Sequence, residues 1–71
     1  MAVNTLLVKA YAINIYLYGN RIFATIPTEY HEPVKQYAAQ TFTQEQIYNA
    51  LVNGWITQQE YDETLAYKTA Q

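Results

Sequence analysis

The sequence predicts a small α+β fold, in which an N-terminal β-hairpin precedes two or three short helices. Residues 5–26 are rich in Leu, Val, Ile and Tyr around a central Gly-Asn pair. From residue 27 onward the composition changes to Gln, Glu, Tyr and Ala. This second half, residues 32–67, contains two similar helix-start signatures. Domains usually have roughly 100–200 residues, so the 71 residues predict a single small domain, 1–71.

The hairpin is predicted over residues 5–26 from the pair Gly19-Asn20, which suits a two-residue type II′ turn. A two-residue turn fixes the register of the strands on either side. In that register one face of the hairpin is aliphatic and packs on the helices. The opposite face is aromatic and basic, and we expect it to bind a partner through Tyr16, Tyr18, Arg21 and Phe23.

The helical half opens with a predicted helix over residues 32–40, because Pro33 suits a first helical turn. The next helix begins at Thr43, which forms a capping box with Gln46 three residues later. It is expected to end at Gly54, because glycine readily adopts the left-handed conformation that terminates helices.

A second capping box predicts the last helix, over residues 58–67. Thr57 is its expected N-cap, and Glu60 occupies the position that bonds back to the cap. Only Trp55 and Ile56 separate Gly54 from Thr57, so the last two helices form a tight pair. We expect Trp55 to fill the core beside this turn.

Composition argues against an enzyme. The chain has no cysteine, one histidine and two glycines, so thiol chemistry, a paired-histidine metal site and a glycine-rich phosphate loop are all excluded. The clustered carboxylates lie near helix starts, where acids complement the helix dipole. We therefore expect no catalytic residue, metal, cofactor or small-molecule substrate.

Charge argues against DNA binding by the helix pair. Residues 28–71 contain two lysines and six acids, a net charge of −4, whereas phosphate binding needs basic surfaces. Tyrosine-rich strands with an arginine could stack on single-stranded nucleic acid. That remains the weaker alternative.

The N-terminus has no basic region followed by an apolar stretch of signal-peptide length, and no apolar run reaches the ~20 residues that span a bilayer. We expect synthesis in a cytoplasm and no membrane association. A lone core of this size rarely supplies more than ~3–5 kcal/mol, and the chain has no disulfide. A partner chain, identical or different, is therefore expected.

The segment from Tyr48 to Tyr61 resembles the XkdX-like family of very small bacteriophage proteins. The family pattern is a helix, then Gly-x-Ile-Thr, two variable residues, and an acidic-aromatic pair that opens a second helix. The resemblance extends over roughly residues 35–67, and the matching positions are Gly54, Trp55, Ile56, Thr57, Glu60 and Tyr61. It implies a phage structural-module protein without enzymatic activity.

Together these features predict a non-enzymatic interaction protein of phage origin, either a small virion component or a tail-associated one. It would be made in the host cytoplasm and dock on other phage structural proteins or on itself. The alternative is a phage-encoded cytoplasmic regulator or inhibitor that binds a host protein through its acidic half.

Overall fold

The computed structural model describes residues 3–69, and within that range the protein is helical and contains no β-strand. Four α-helices follow one another: α1 (Thr5–Ile13), α2 (His31–Thr41), α3 (Gln44–Val52) and α4 (Gln58–Thr69). A single π-helical turn, Asn14–Tyr18, continues α1 directly, and two 3-10 turns occupy Phe23–Thr25 and Thr28–Tyr30. The predicted α+β class and the hairpin over residues 5–26 are therefore wrong.

The first predicted strand is a helix because its apolar residues also satisfy helical spacing. Val8, Ala12 and Ile15 recur at i, i+4 and i+7, and all three are buried on one face. The side chain of Asn4 starts this helix, since its Oδ1 accepts hydrogen bonds from the amides of Leu6 at 2.9 Å and Leu7 at 3.3 Å. This almost continuously apolar segment therefore fits the spacing of either a helix or a strand. The asparagine cap is the feature that indicates a helix.

The second predicted strand is a loop with a 3-10 turn. The hydroxyl of Thr25 donates to the carbonyl of Ile22 at 2.7 Å and accepts from the amide of Ile22 at 3.3 Å. These local bonds use backbone groups that a strand would pair with its neighbour. Phe23 and Ile26 point into the core from this loop, whereas Ile22 is exposed.

The helices of the second half begin and end as the sequence predicts, to within two residues. The prediction of 32–40 corresponds to α2, and the predicted helix pair corresponds to α3 and α4. Helix α2 packs against both α1 and α4, while the π-helical turn and α4 both contact α3. The core runs between these elements and comprises Val8, Ala12, Ile15, Tyr16, Phe23, Ile26, Tyr30, Val34, Ala38, Phe42, Ile47, Ala50 and Ile56.

Candidate functional site

The four residues predicted to bind a partner do not share a surface, because the hairpin that would align them is absent. Tyr16 and Phe23 are fully buried. Their rings meet edge to face, with centroids 6.0 Å apart. The tyrosine-rich strands on which we expected single-stranded nucleic acid to stack are likewise absent from residues 3–69.

Tyr16 is a core tyrosine whose hydroxyl is satisfied internally. Its Oη lies 2.6 Å from Oγ1 of Thr64 on α4, and Thr64 in turn donates to the carbonyl of Glu60 at 2.8 Å. Burial raises the pKa of Tyr16 well above its usual range. The π-helical turn therefore presents Tyr16 to α4 rather than to a partner.

The other two predicted residues remain on the surface. Tyr18 is 64% exposed at the end of the π-helical turn. Arg21 is also exposed, and its guanidinium carbon lies 5.6 Å from the centroid of the Tyr11 ring. This distance suits a cation–π contact, which holds the loop after the turn against α1.

Both predicted capping boxes are present. At α3 the Thr43 amide donates to Oε1 of Gln46 at 2.9 Å, and the Gln46 amide donates to Oγ1 of Thr43 at 3.1 Å. At α4 the Thr57 amide donates to Oε1 of Glu60 at 2.8 Å, and the Glu60 amide donates to Oγ1 of Thr57 at 3.1 Å. Each box gives a hydrogen-bond acceptor to two backbone amides at the helix start that would otherwise lack one.

The turn between α3 and α4 is a Schellman motif, as expected from Gly54. Gly54 has φ +78°, its amide donates to Leu51 at 3.0 Å, and the Trp55 amide donates to Ala50 at 2.9 Å. The Trp55 side chain is half-buried against the core. The helix pair is thus fixed at the start of each helix and at the turn between them.

Gly19 and Asn20 end the π-helical turn instead of forming a hairpin loop. Gly19 has φ +69° and ψ +22°, a left-handed conformation that closes the helix. The Asn20 amide donates to the carbonyl of Asn14 at 2.9 Å. The predicted type II′ turn at Gly19-Asn20 is therefore wrong, although a hairpin turn of that type would also place glycine at positive φ.

The surface best suited to a partner is a groove beside α3, which we call the α3 groove. It encloses about 520 Å³ between α3 and the π-helical turn. Tyr48 and Val52 stand at its edge with 53% and 64% exposure. Its lining comprises Tyr16, Leu17, Glu45, Gln46, Tyr48, Asn49 and Val52.

A second depression adjoins the α3 groove and shares Tyr48 and Glu45 with it. It encloses about 510 Å³ and is lined by Gln44, Glu45, Tyr48 and Tyr61. The rings of Tyr48 and Tyr61 meet edge to face, with centroids 5.9 Å apart. Tyr48 therefore stands between two concave surfaces and is held on one side by α4.

Sequence reasoning missed Tyr48 and Val52, although the signal was present. The side of α3 that faces the core carries Ile47 and Ala50, which are both buried. Tyr48 and Val52 lie four residues apart on another side of α3, which a simple amphipathic helix would make polar. Apolar residues on both sides of a surface helix indicate an interaction face.

A charged network ties α2 to α4 and is distinct from the α3 groove. The Lys35 ammonium is buried, bonds to Glu32 at 3.2 Å and to Glu63, and lies 5.5 Å from the centroid of the Phe23 ring. Tyr67 donates a hydrogen bond to Glu32. Each of these charged groups already has a partner within the protein, so the network stabilises the fold.

The pKa shifts of Lys35, Glu32 and Glu63 favour the charged form of each group. Burial opposes the charge of Lys35, but its hydrogen bonds to Glu63 and Glu32 outweigh that effect and raise its pKa. The Tyr67 hydroxyl, followed by Lys35, lowers the pKa of Glu32. The hydrogen bond from Lys35 also lowers the pKa of Glu63.

Among residues 3–69 there is no cluster of histidine and acidic side chains that could hold a metal ion. In the same part of the chain, none of the helices has the length and hydropathy to cross a membrane. Compared with known protein families, curated proteins and solved structures, the chain matches none of them.

Proposed function

We propose that this chain is a non-enzymatic interaction protein, a small phage component of the virion or tail that docks on other structural subunits. The observation that carries the proposal is the α3 groove, with Tyr48 and Val52 exposed at its edge. Tyrosine is enriched at protein interfaces because its ring supplies contact area and its hydroxyl can remain hydrated. A partner side chain entering the groove would bury both residues.

The surroundings of the groove favour binding without large rearrangement. Helix α3 is fixed by the Thr43 box at its start and by the Schellman turn at Gly54. Tyr48 also rests against Tyr61 on α4. A surface held in one conformation loses less entropy when it binds, which favours affinity.

The phage assignment is supported by the resemblance of residues 35–67 to the XkdX-like family. The residues that carry it, including Gly54, Thr57 and Glu60, build the turn and cap of the α3–α4 pair. The expected course is synthesis in the host cytoplasm and incorporation into a particle.

Mass spectrometry of purified particles, produced by the strain that encodes the chain, tests this proposal. We expect the wild-type chain in the particles and its depletion when Tyr48→Ser and Val52→Ser are combined. Gln40→Ser, on an exposed position of α2, is the matched control and should be retained. Absence of the wild-type chain from particles, or equal retention of both variants, would contradict the proposal.

A cytoplasmic regulator or inhibitor that binds a host protein is the second candidate, favoured by the acidic surface of α3 and α4. Within residues 3–69, the ion pairs of the structure do not involve Glu45, Glu60 or Asp62. Carboxylates without a basic side chain as partner make this surface negative, which attracts basic partners. Recovery of the chain from cytosol on a basic host protein, in a salt-sensitive complex, would favour this candidate over the virion.

A further inference from the structure

The second depression beside α3, which we call the tyrosine–glutamate site, combines aromatic rings with a carboxylate. It is lined by Gln44, Glu45, Tyr48 and Tyr61. Glu45 and Tyr48 lie three residues apart on α3 and therefore share one face of the helix. Tyr61 reaches the same place from α4, and its ring meets that of Tyr48 edge to face. Two helices thus place two rings and one carboxylate around a single depression.

Within residues 3–69, the carboxylate of this site has no cationic partner. The ion pairs of that part of the chain do not involve Glu45, and neither depression beside α3 is lined by a basic side chain. Glu45 is exposed and lies in the first turn of α3, where the helix dipole favours a negative charge. The site therefore carries a charge that a cation of a partner would neutralise.

Three of the four basic side chains of the protein are held elsewhere in the fold. Arg21 lies over the Tyr11 ring at 5.6 Å, and Lys35 lies over the Phe23 ring at 5.5 Å. Lys68 donates to two carbonyls at the end of α2, at 3.3 and 3.0 Å. The described part of the chain thus places a cation over an aromatic ring twice, but not over either ring of the tyrosine–glutamate site.

We propose that the tyrosine–glutamate site binds an arginine side chain of the partner protein, an inference that rests on the function proposed for the adjoining α3 groove. A guanidinium can lie on an aromatic ring and at the same time donate hydrogen bonds to a carboxylate. Arginine fits better than lysine, because its planar group is less strongly hydrated and offers five donors. The side-chain oxygen of Gln44 supplies a further acceptor.

The position of the site indicates what the partner segment contains. Glu45 and Tyr48 line both depressions and lie between them. An arginine in the site is therefore next to the side chain that enters the α3 groove, where Leu17 and Val52 offer apolar contacts. We expect an arginine beside an apolar residue. The negative charge of the site also disfavours nucleic acid and anionic membranes, whose phosphates it repels.

NMR titration of the isotopically labelled chain with short peptides tests this chemistry directly. The probe is acetyl-Leu-Arg-Leu-amide, and the matched peptides carry lysine or norleucine at the centre. At millimolar concentration, the arginine peptide should shift the amide signals of Glu45, Tyr48 and Tyr61. It should bind roughly fivefold more tightly than the norleucine peptide, with the lysine peptide between the two.

Two substitutions locate the preference for arginine. Glu45→Gln removes the charge, keeps the shape of the side chain and should remove most of the preference. Glu29→Gln, which removes another exposed carboxylate near the start of a helical turn, is the matched control and should leave the preference unchanged. Tyr61→Leu should also reduce the preference, because it removes one ring. Circular dichroism checks that the variants stay folded.

Several results would overturn the proposal. Absence of the expected shifts, equal binding of the arginine and norleucine peptides, or a preference that Glu45→Gln leaves intact would each do so. Shifts of the same signals at high concentration of the chain alone, removed by Arg21→Gln, would instead make a second copy the occupant.

The particle experiment separates this proposal from the function on which it rests. Loss of the Tyr48→Ser, Val52→Ser chain from particles together with full retention of Glu45→Gln would leave the docking function in place and refute the arginine site. Retention of both variants would contradict the docking function itself.

Discussion

The indole of Trp55 packs directly on Gly19, so that a β-carbon at position 19 would overlap the ring. This contact joins the end of the π-helical turn to the loop between α3 and α4, across 36 residues of sequence. Gly19 is also left-handed, with φ +69°. Two independent constraints therefore require glycine at this position.

Replacement of Gly19 by alanine should destabilise the protein more than the same change at Gly54. Both glycines have positive φ, and alanine there costs about 1–2 kcal/mol. A β-carbon at Gly54 meets no atom within 4 Å, whereas one at Gly19 overlaps Trp55 and adds about 1–3 kcal/mol of overpacking. Urea denaturation of both variants measures the difference, and equal losses would mean that the ring moves aside freely.

The N-cap threonines provide a second prediction. Thr57→Ala should lower the free energy of unfolding by about 0.5–2 kcal/mol, because the Glu60 amide loses its acceptor. Thr43→Ala should lower the free energy of unfolding by a similar amount, because the Gln46 amide loses its acceptor. Thr41→Ala, at the exposed C-terminal end of α2, is the control and should change stability little. A thermal midpoint unaltered by Thr57→Ala would refute the cap.

Substitutions at Tyr16 test whether its side chain lies in the core or on the surface. Tyr16→Phe removes the hydroxyl from Thr64, which keeps its bond to the Glu60 carbonyl, so the loss should be about 0.5–1.5 kcal/mol. Tyr16→Ser also empties the space of the ring, and such core truncations cost about 3–5 kcal/mol. Tyr18→Ser, at an exposed ring, is the control. Equal and small effects of the two serine variants would place Tyr16 on the surface.

Acid should weaken the link between α2 and α4. The folded-state pKa values of Glu32 and Glu63 lie below their ordinary value of 4.5. Stability from these carboxylates is therefore present above about pH 4.5 and is lost as the pH falls through the lower folded-state values. Both side chains are more than a third exposed, so we expect a modest loss.

Urea denaturation between pH 7 and pH 3 measures this effect, with Lys35→Met as the matched variant. Without the ammonium, the carboxylates lose the partner that they share, so the pH dependence should become shallower, although the hydrogen bond from Tyr67 still lowers the pKa of Glu32. If the stability of the variant falls as steeply with acid as that of the wild type, other carboxylates determine the pH dependence.

Much of the second half of the fold follows from local sequence signals. The Thr43 and Thr57 boxes and the Gly54 turn are decided by bonds between residues at most five apart, so the sequence alone predicts them. The same holds for the start of α1, where Asn4 was the available signal. That signal was outweighed by the high β-propensity of the residues that follow it.

The first half depends on contacts that no local pattern contains. Burial of Tyr16 requires Thr64, 48 residues away, and the close approach at Gly19 requires Trp55. Gly19-Asn20 suited a hairpin turn and a helix end equally, because both use positive φ. The candidate site changed accordingly. Tyr16 and Phe23 lie in the core, and the groove proposed as the binding surface instead has the exposed Tyr48 and Val52 of α3 at its edge.

The conformation of residues 5–18 is the central claim, because the core position of Tyr16 and the shared buried face of Val8, Ala12 and Ile15 both depend on it. Backbone NMR chemical shifts of the wild-type chain test it most directly. We predict positive Cα secondary shifts throughout this segment, with a nuclear Overhauser contact between the Tyr16 ring and Thr64. Negative Cα shifts, with cross-strand contacts between Ile15 and Ala24, would contradict it and restore the hairpin.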